Sequence, residues 1–367
     1  MNLSKLSPIL LMLSFIVSSS FSQTPASKIH ADVQGAIQAE RLIQELFDKE
    51  KLPGMAVEVW KNGKSVFSKG YGYANVANRI PVDPNLSKFR IGSISKPFTA
   101  VALGSLYESG KLDLDASIQT YVPQFPKKKH RVSLRQLAGH MGGIRHYSGN
   151  EFMNNTHYAT VQEGLSIFTD DPLINIPGTK YSYSSYGWNL ISAAIETASE
   201  HEFLSFMDQE VFDRIGMENT EADYANREVE NRVTFYDKNS LGSITEANPV
   251  DNSYKWAGGG FLSTVTDLAK FAQANLDASI LQSETIALFT TSQFTKDGDK
   301  INYGIGWRSG EDKKGRAWYG HGGGSVGGSS MLLIFPAEHL IVVTTVNLGN
   351  AKTGNIAFRV ADQFFEK

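Results

Sequence analysis

No cysteine occurs in the 367-residue chain. Disulfides, cysteine-linked lipid anchors and thiolate zinc sites are thereby excluded. Net charge is nearly absent as well: 35 basic against 38 acidic side chains leave -3 at pH 7. Nothing electrostatic calls for nucleic acid or an anionic membrane as partner. The chain also lacks an apolar run long enough to span a bilayer comfortably. Its longest, Ile9-Leu10-Leu11-Met12-Leu13-Ser14-Phe15-Ile16-Val17, follows Lys5 and precedes the small residues Ser18 to Ser22. That order is expected of a secretory signal peptide over residues 1–22, cleaved after Ser22. It implies an exported, periplasmic protein with no stable membrane anchor once the signal is removed. Repeats and low-complexity tracts are missing too. What remains is 41% hydrophobic, enough for a folded protein with a sizeable core.

Ile37, Leu42, Ile43, Leu46 and Phe47 recur at helical spacing and predict a helix over 31–51. Two β-rich runs, 55–61 and 65–72, flank Asn62-Gly63, a strong hairpin signal. A helix is expected over 98–108, stopped by Gly110. From about Asp113 to Asn248, helical patches alternate with Gly-, Pro- and Ser-rich loops. Thr264 to Asp267 reads as a helix cap. Strand-like runs follow at 303–309, 317–322, 329–335 and 340–347, then a closing helix at 357–365. Helix and strands at both ends with a helical middle suggest one sheet built from both termini and a helical insertion, an α+β fold.

Of 23 lysines, only Lys96 has a serine three residues before it, Ser93. The two share a helix face. Ser93 stands where unpaired N–H groups and the helix dipole favour negative charge. A serine hydroxyl needs a base to become a nucleophile, and a lysine held neutral by burial can be one. The developing oxyanion would be held by the Ser93 N–H and a second backbone donor. The bland alternative is a capping serine followed by a surface lysine, so the pair needs its surroundings to carry the chemistry.

FRIGSISKPFTA (residues 89–100) resembles the nucleophile segment of the serine β-lactamase and penicillin-binding-protein superfamily, whose signature opens Ser-x-x-Lys. LAGHMGGIRHY, PGTKYSYSSYGWNLI, WAGGGFLSTVTDLAKF and HGGGSVGGSSMLL match it in order over nearly all of the mature chain. LDLDASIQTYVPQFP, GIRHY and VDNSYKWAGGGFLSTV resemble the LACTB-like group, the mitochondrial serine β-lactamase-like proteins and their bacterial cousins. The resemblance implies an antiparallel sheet flanked by helices, with a helical subdomain and the site between them. Its expected division of 23–367 is a sheet part from about 31–110 and 256–367, and a helical part from about 111–255.

By the same resemblance, Tyr183 is the tyrosine that shares the serine's proton with Lys96, and Ser185 stands where asparagine is usual. Tyr73-Ala74-Asn75 and Tyr224-Ala225-Asn226 spell the literal motif, but in the wrong places. Lys352-Thr353-Gly354 likewise spells the third motif after the last strand. His321-Gly322-Gly323 occupies the position before the final hairpin where that motif belongs. Gly324 is the expected second oxyanion donor, beside Gly323 on a strand whose glycines admit a ligand. His321 is expected to present a switchable, uncharged group to substrate, which weakens selection for penicillin carboxylates. His140 and His146 fit no zinc spacing and are expected beneath the site. The readings are a serine hydrolase forming an acyl-enzyme at Ser93, as peptidase, amidase or esterase on a peptide or small-molecule substrate; a class C type β-lactamase; or a filament- or homo-oligomer-forming assembly protein on the same fold. No cofactor is implied.

Overall fold

The computed structural model describes residues 25–365; the leader expected over 1–22 lies outside the described residues. Among those described, no helix is long and apolar enough to cross a membrane. The chain opens with α1 (Pro25–Glu50), then β1 (Gly54–Lys61) and β2 (Lys64–Asn75), joined at Asn62-Gly63. Both hairpin residues have positive φ, 52° and 74°, as the tight turn matching strand twist requires. A short strand, β3 (Ile80–Pro81), borders β2.

The other half of the sheet comes from the C-terminal end: β4 (Arg308–Glu311), β5 (Ala317–Ser325), β6 (Gly328–Phe335) and β7 (Leu340–Val346). The order is β3-β2-β1-β7-β6-β5-β4, antiparallel throughout. β1 meets β7 in the middle, with Val57 opposite Thr344. Both faces are covered, so every residue of β6 and β7 is buried. Met55, Val57, Leu333 and Val342 point to the layer holding Ile43 of α1 and Val360 of α5 (Thr353–Ala361). Ala56, Leu332, Ile334 and Val343 point the other way, into the larger core with Phe98, Trp188 and Phe271.

That larger core centres on α2 (Ser95–Glu108), which is buried on nearly every side. Its neighbours include α3 (Tyr186–Ser199) and α4 (Val265–Leu276). The cap expected at Thr264 is present: its hydroxyl accepts from Asp267 N at 3.1 Å. Expected bounds move: α1 starts at Pro25 rather than at residue 31 and α2 at Ser95 rather than at 98, and two further shifts have a visible cause. Strand pairing starts at Arg308 rather than at residue 303, because Gly304 N–H donates to Trp307 O and turns the chain first. The closing helix starts four residues early, at Thr353, whose hydroxyl donates to Ser330 O and docks the helix on β6.

Candidate active site

Ser93 sits in the single 3-10 turn Gly92–Ile94 that feeds α2. Side chains pin this turn and the helix it feeds. Ser95 Oγ donates to Gly92 O at 2.7 Å, Ser330 Oγ donates to Ile91 O at 2.7 Å, and Thr99 Oγ1 donates to Ala257 O at 3.0 Å. Pro97 falls in the first turn of α2, where no intrahelical donor is lost.

Lys96 is fully buried, and its Nζ has three neighbours: Ser93 Oγ at 3.1 Å, Ser185 Oγ at 3.1 Å and Gly258 O at 2.6 Å. The carbonyl can only accept, and the Ser185 hydroxyl faces that of Tyr147. In its neutral form the amine can donate to Gly258 and Ser185 and turn its lone pair to Ser93. Burial first, then the Lys255 and Arg308 charges, hold the Lys96 pKa well below the usual lysine range.

Tyr183 OH donates to Ser93 Oγ at 2.9 Å. Burial raises its pKa, so it rests protonated. The loop that delivers it hangs on two histidines. Ser184 N donates to His140 Nδ1 at 3.1 Å, and Ser185 N donates to His146 Nδ1 at 3.2 Å. The His140 ring lies 4.1 Å from that of Tyr183. Both histidines thus sit beneath the site and hold the tyrosine loop.

β5 closes the other side. A methyl on Gly323 would fall 1.9 Å from Ile91 O, and one on Gly92 would fall 2.7 Å from Gly324 N. Only glycine permits this approach, and it sets the Gly324 amide beside the nucleophile turn. Around Gly324 itself a methyl would meet nothing within 4 Å, so this stretch of β5 faces open space.

His321 departs from expectation. It is buried, its Nδ1 meets Gly322 O at 2.6 Å, and its Nε2 meets Tyr303 OH at 2.9 Å. A carbonyl must be given a proton, so Nδ1 carries it and Nε2 accepts from the tyrosine. Burial first, then the cationic side chains around it, hold the His321 pKa well below the usual histidine range, so the ring is neutral. With both nitrogens engaged, it is a wall of the site rather than a substrate-facing group.

The cation at the mouth is Arg308, which no motif flagged. It is exposed, opposite Gly320, with its guanidinium 5.6 Å from the Tyr183 ring centroid. Gly258 O was equally invisible, since a backbone carbonyl leaves no signature in a side-chain pattern. The literal Tyr73, Tyr224 and Lys352 motifs are not brought to Ser93.

Residues 39–363 match the Beta-lactamase family. The human mitochondrial serine beta-lactamase-like protein LACTB is 33% identical over 86% of this chain and 75% of its own. A D-aminopeptidase of Gluconobacter oxydans is 28% identical over 80% of this chain and 56% of its own. Among solved structures, the octameric penicillin-binding protein homologue from Pyrococcus abyssi superposes with TM-score 0.78 at 26% identity, over 88% of this chain and 76% of that one. Fold and sequence agree: this chain belongs to the Beta-lactamase family, a superfamily of serine hydrolases with an α+β fold.

Proposed function

We propose that the protein hydrolyses acyl substrates, peptides or amides before esters, through a covalent intermediate on Ser93. One observation carries the reading: Ser93 Oγ lies between a buried amine at 3.1 Å and a phenol at 2.9 Å. Lys96, its pKa held low by burial, takes the Ser93 proton in its neutral form as Oγ attacks the carbonyl carbon. The carbonyl oxygen becomes the oxyanion and takes hydrogen bonds from the Ser93 and Gly324 amides. Tyr183, protonated at rest, gives its proton to the leaving nitrogen or oxygen as that bond breaks, and Lys96 restores it. Water then attacks the ester, losing its proton to the same pair, and Ser93 leaves with its proton regained. The opposite directions of the two pKa shifts, Lys96 down and Tyr183 up, support Lys96 as the acylation base.

Ser185 orients Lys96 in this scheme. Arg308 supplies the positive charge for an anionic leaving portion, since it stands beside the proton donor Tyr183. Intact-mass spectrometry during exposure to benzylpenicillin and to 4-nitrophenyl acetate tests the reading, with Ser93→Ala in parallel. A mass gain on the parent alone is expected; equal gain on Ser93→Ala overturns it. Inefficient penicillin turnover beside efficient ester turnover is expected, and the reverse favours a β-lactamase. Export to the periplasm belongs to the same proposal, and N-terminal sequencing of the mature protein checks cleavage after Ser22. Self-assembly is a second reading, favoured by the octameric archaeal relative; light scattering distinguishes an assembly from a monomer.

A further inference from the structure

Two buried polar groups near the nucleophile have no partner. Lys255 is 2% exposed. Its Nζ lies 4.6 Å, 5.1 Å and 5.5 Å from the ring centroids of Phe152, Tyr254 and Tyr147. Among the described residues no acceptor pairs with it; its charged surroundings are Arg90, which repels it, and Asp223, which attracts it. Asp223 is already taken, receiving hydrogen bonds from Arg90, Arg232 and Asn252. The second group is Ser325 Oγ, buried without a hydrogen bond. Aromatic faces return only part of what an ammonium loses on leaving water. An unpaired buried lysine calls for a reason outside the fold.

Phe152, which carries that ammonium on its face, also walls a cavity of about 660 Å3 that runs past Gly324, Ser325 and Val326. The rim charges balance, Lys238 and Lys352 against Glu50 and Asp237. The cavity therefore opens at the far end of β5 from Arg308, which faces Gly320. Five residues of strand separate the two ends, roughly 16 Å.

The direction of the chemistry assigns the ends. The leaving group must lie within reach of its proton donor, Tyr183, whose ring is beside Arg308. The acyl group then points the other way, past Gly324 into the cavity.

We propose that Lys255 is a specificity-determining residue that receives, past the Phe152 ring, a carboxylate on the acyl side of the substrate, with the acyl chain lying in the cavity beyond Gly324. The proposal rests on the acyl-enzyme reading of Ser93 for its sense of direction. It names the substrate class as acyl compounds with an acidic group several atoms from the scissile carbonyl. Without ligand, burial lowers the Lys255 pKa to about 7; an arriving carboxylate fixes the proton on the amine and pairs with it.

The test compares 4-nitrophenyl hydrogen glutarate with its neutral methyl ester, on wild type and on Lys255→Met. The readout is the ratio of kcat/KM for the charged ester to that for the neutral one. Loss of a buried charge-assisted contact lowers that ratio about tenfold or more in Lys255→Met. An unchanged ratio overturns the proposal, whether both rates fall together or neither moves; a joint fall means that the lysine acts only on the Lys96 proton. A second measurement does not depend on turnover: calorimetric titration of monomethyl glutarate into Ser93→Ala and into Ser93→Ala/Lys255→Met. Binding by the first and not the second supports the anion site, even if wild type hydrolyses neither ester and the Ser93 reading falls. Equal binding by both, or by neither, overturns the site.

Discussion

Gly323→Ala isolates the closeness of β5 to the nucleophile turn. The new methyl would lie 1.9 Å from Ile91 O and 2.2 Å from Ser330 Oγ. The serine hydroxyl can rotate away; the carbonyl belongs to the backbone one residue before Gly92 and cannot. Restoring an ordinary 3.4 Å contact moves the strand by about 1.5 Å, and with it the Gly324 amide one residue on. Misplacing an oxyanion donor by such a distance costs about 10²–10³ in kcat. The expected result is a kcat on 4-nitrophenyl acetate reduced by that factor, with KM changed far less and a lowered Tm. Adding Ser330→Ala does not restore the rate, because the Ile91 carbonyl remains. Gly324→Ala is the steric control: with nothing within 4 Å, it keeps the wild-type Tm. A Gly323→Ala enzyme with unchanged kcat and Tm would refute the idea that this approach builds the oxyanion site.

Three further outcomes are expected. Lys255 is protonated in the unfolded chain up to about pH 10.5 but in the folded chain only up to about 7, so between those values the unfolded state binds the extra proton and stability rises with pH. Lys255→Met removes that penalty: its Tm advantage over wild type should be nil near pH 10.5, widen as pH falls to 7, then level off, and a pH-independent difference would contradict the burial. Arg308→Gln should lower the kcat/KM ratio of an anionic-leaving-group ester to a neutral one about tenfold, and an equal effect on both would remove Arg308 from leaving-group recognition. Arg90→Met strips the 2.6 Å partner from Asp223, whose side chain is 1% exposed, and frees Val326 O; urea unfolding should report a loss of about 3–5 kcal/mol, and a loss below about 1 kcal/mol would mean that Arg232 and Asn252 hold the carboxylate unaided.

Much of the fold was legible. Runs rich in apolar residues at 329–335 and 340–347 marked two strands, and Asn62-Gly63 marked its hairpin through backbone preference alone. The helical spacing of Ser93 and Lys96 likewise needs only 3.6 residues per turn. The strand expected from 303 failed because a glycine-containing turn, closed by Gly304 N–H and Trp307 O, precedes the pairing, and apolar pattern does not report hydrogen bonds.

The site divides along the same line. Local sequence determined which hydroxyl and amine share a turn, and the order of the segments marked Tyr183, Ser185 and the glycines of β5 as their companions. Only the tertiary structure decided the charges. The Lys96 pKa is held low because other elements bury the amine and set Lys255 and Arg308 near it. His321 is a wall because Tyr303, 18 residues away, occupies its Nε2. Arg308 bears on the site although no motif names it, and Lys255 although its segment gave no sign of a role. Spacing along a chain fixes neighbours within a turn or a strand; proton affinity depends on what long-range packing removes from water and which charges it leaves nearby.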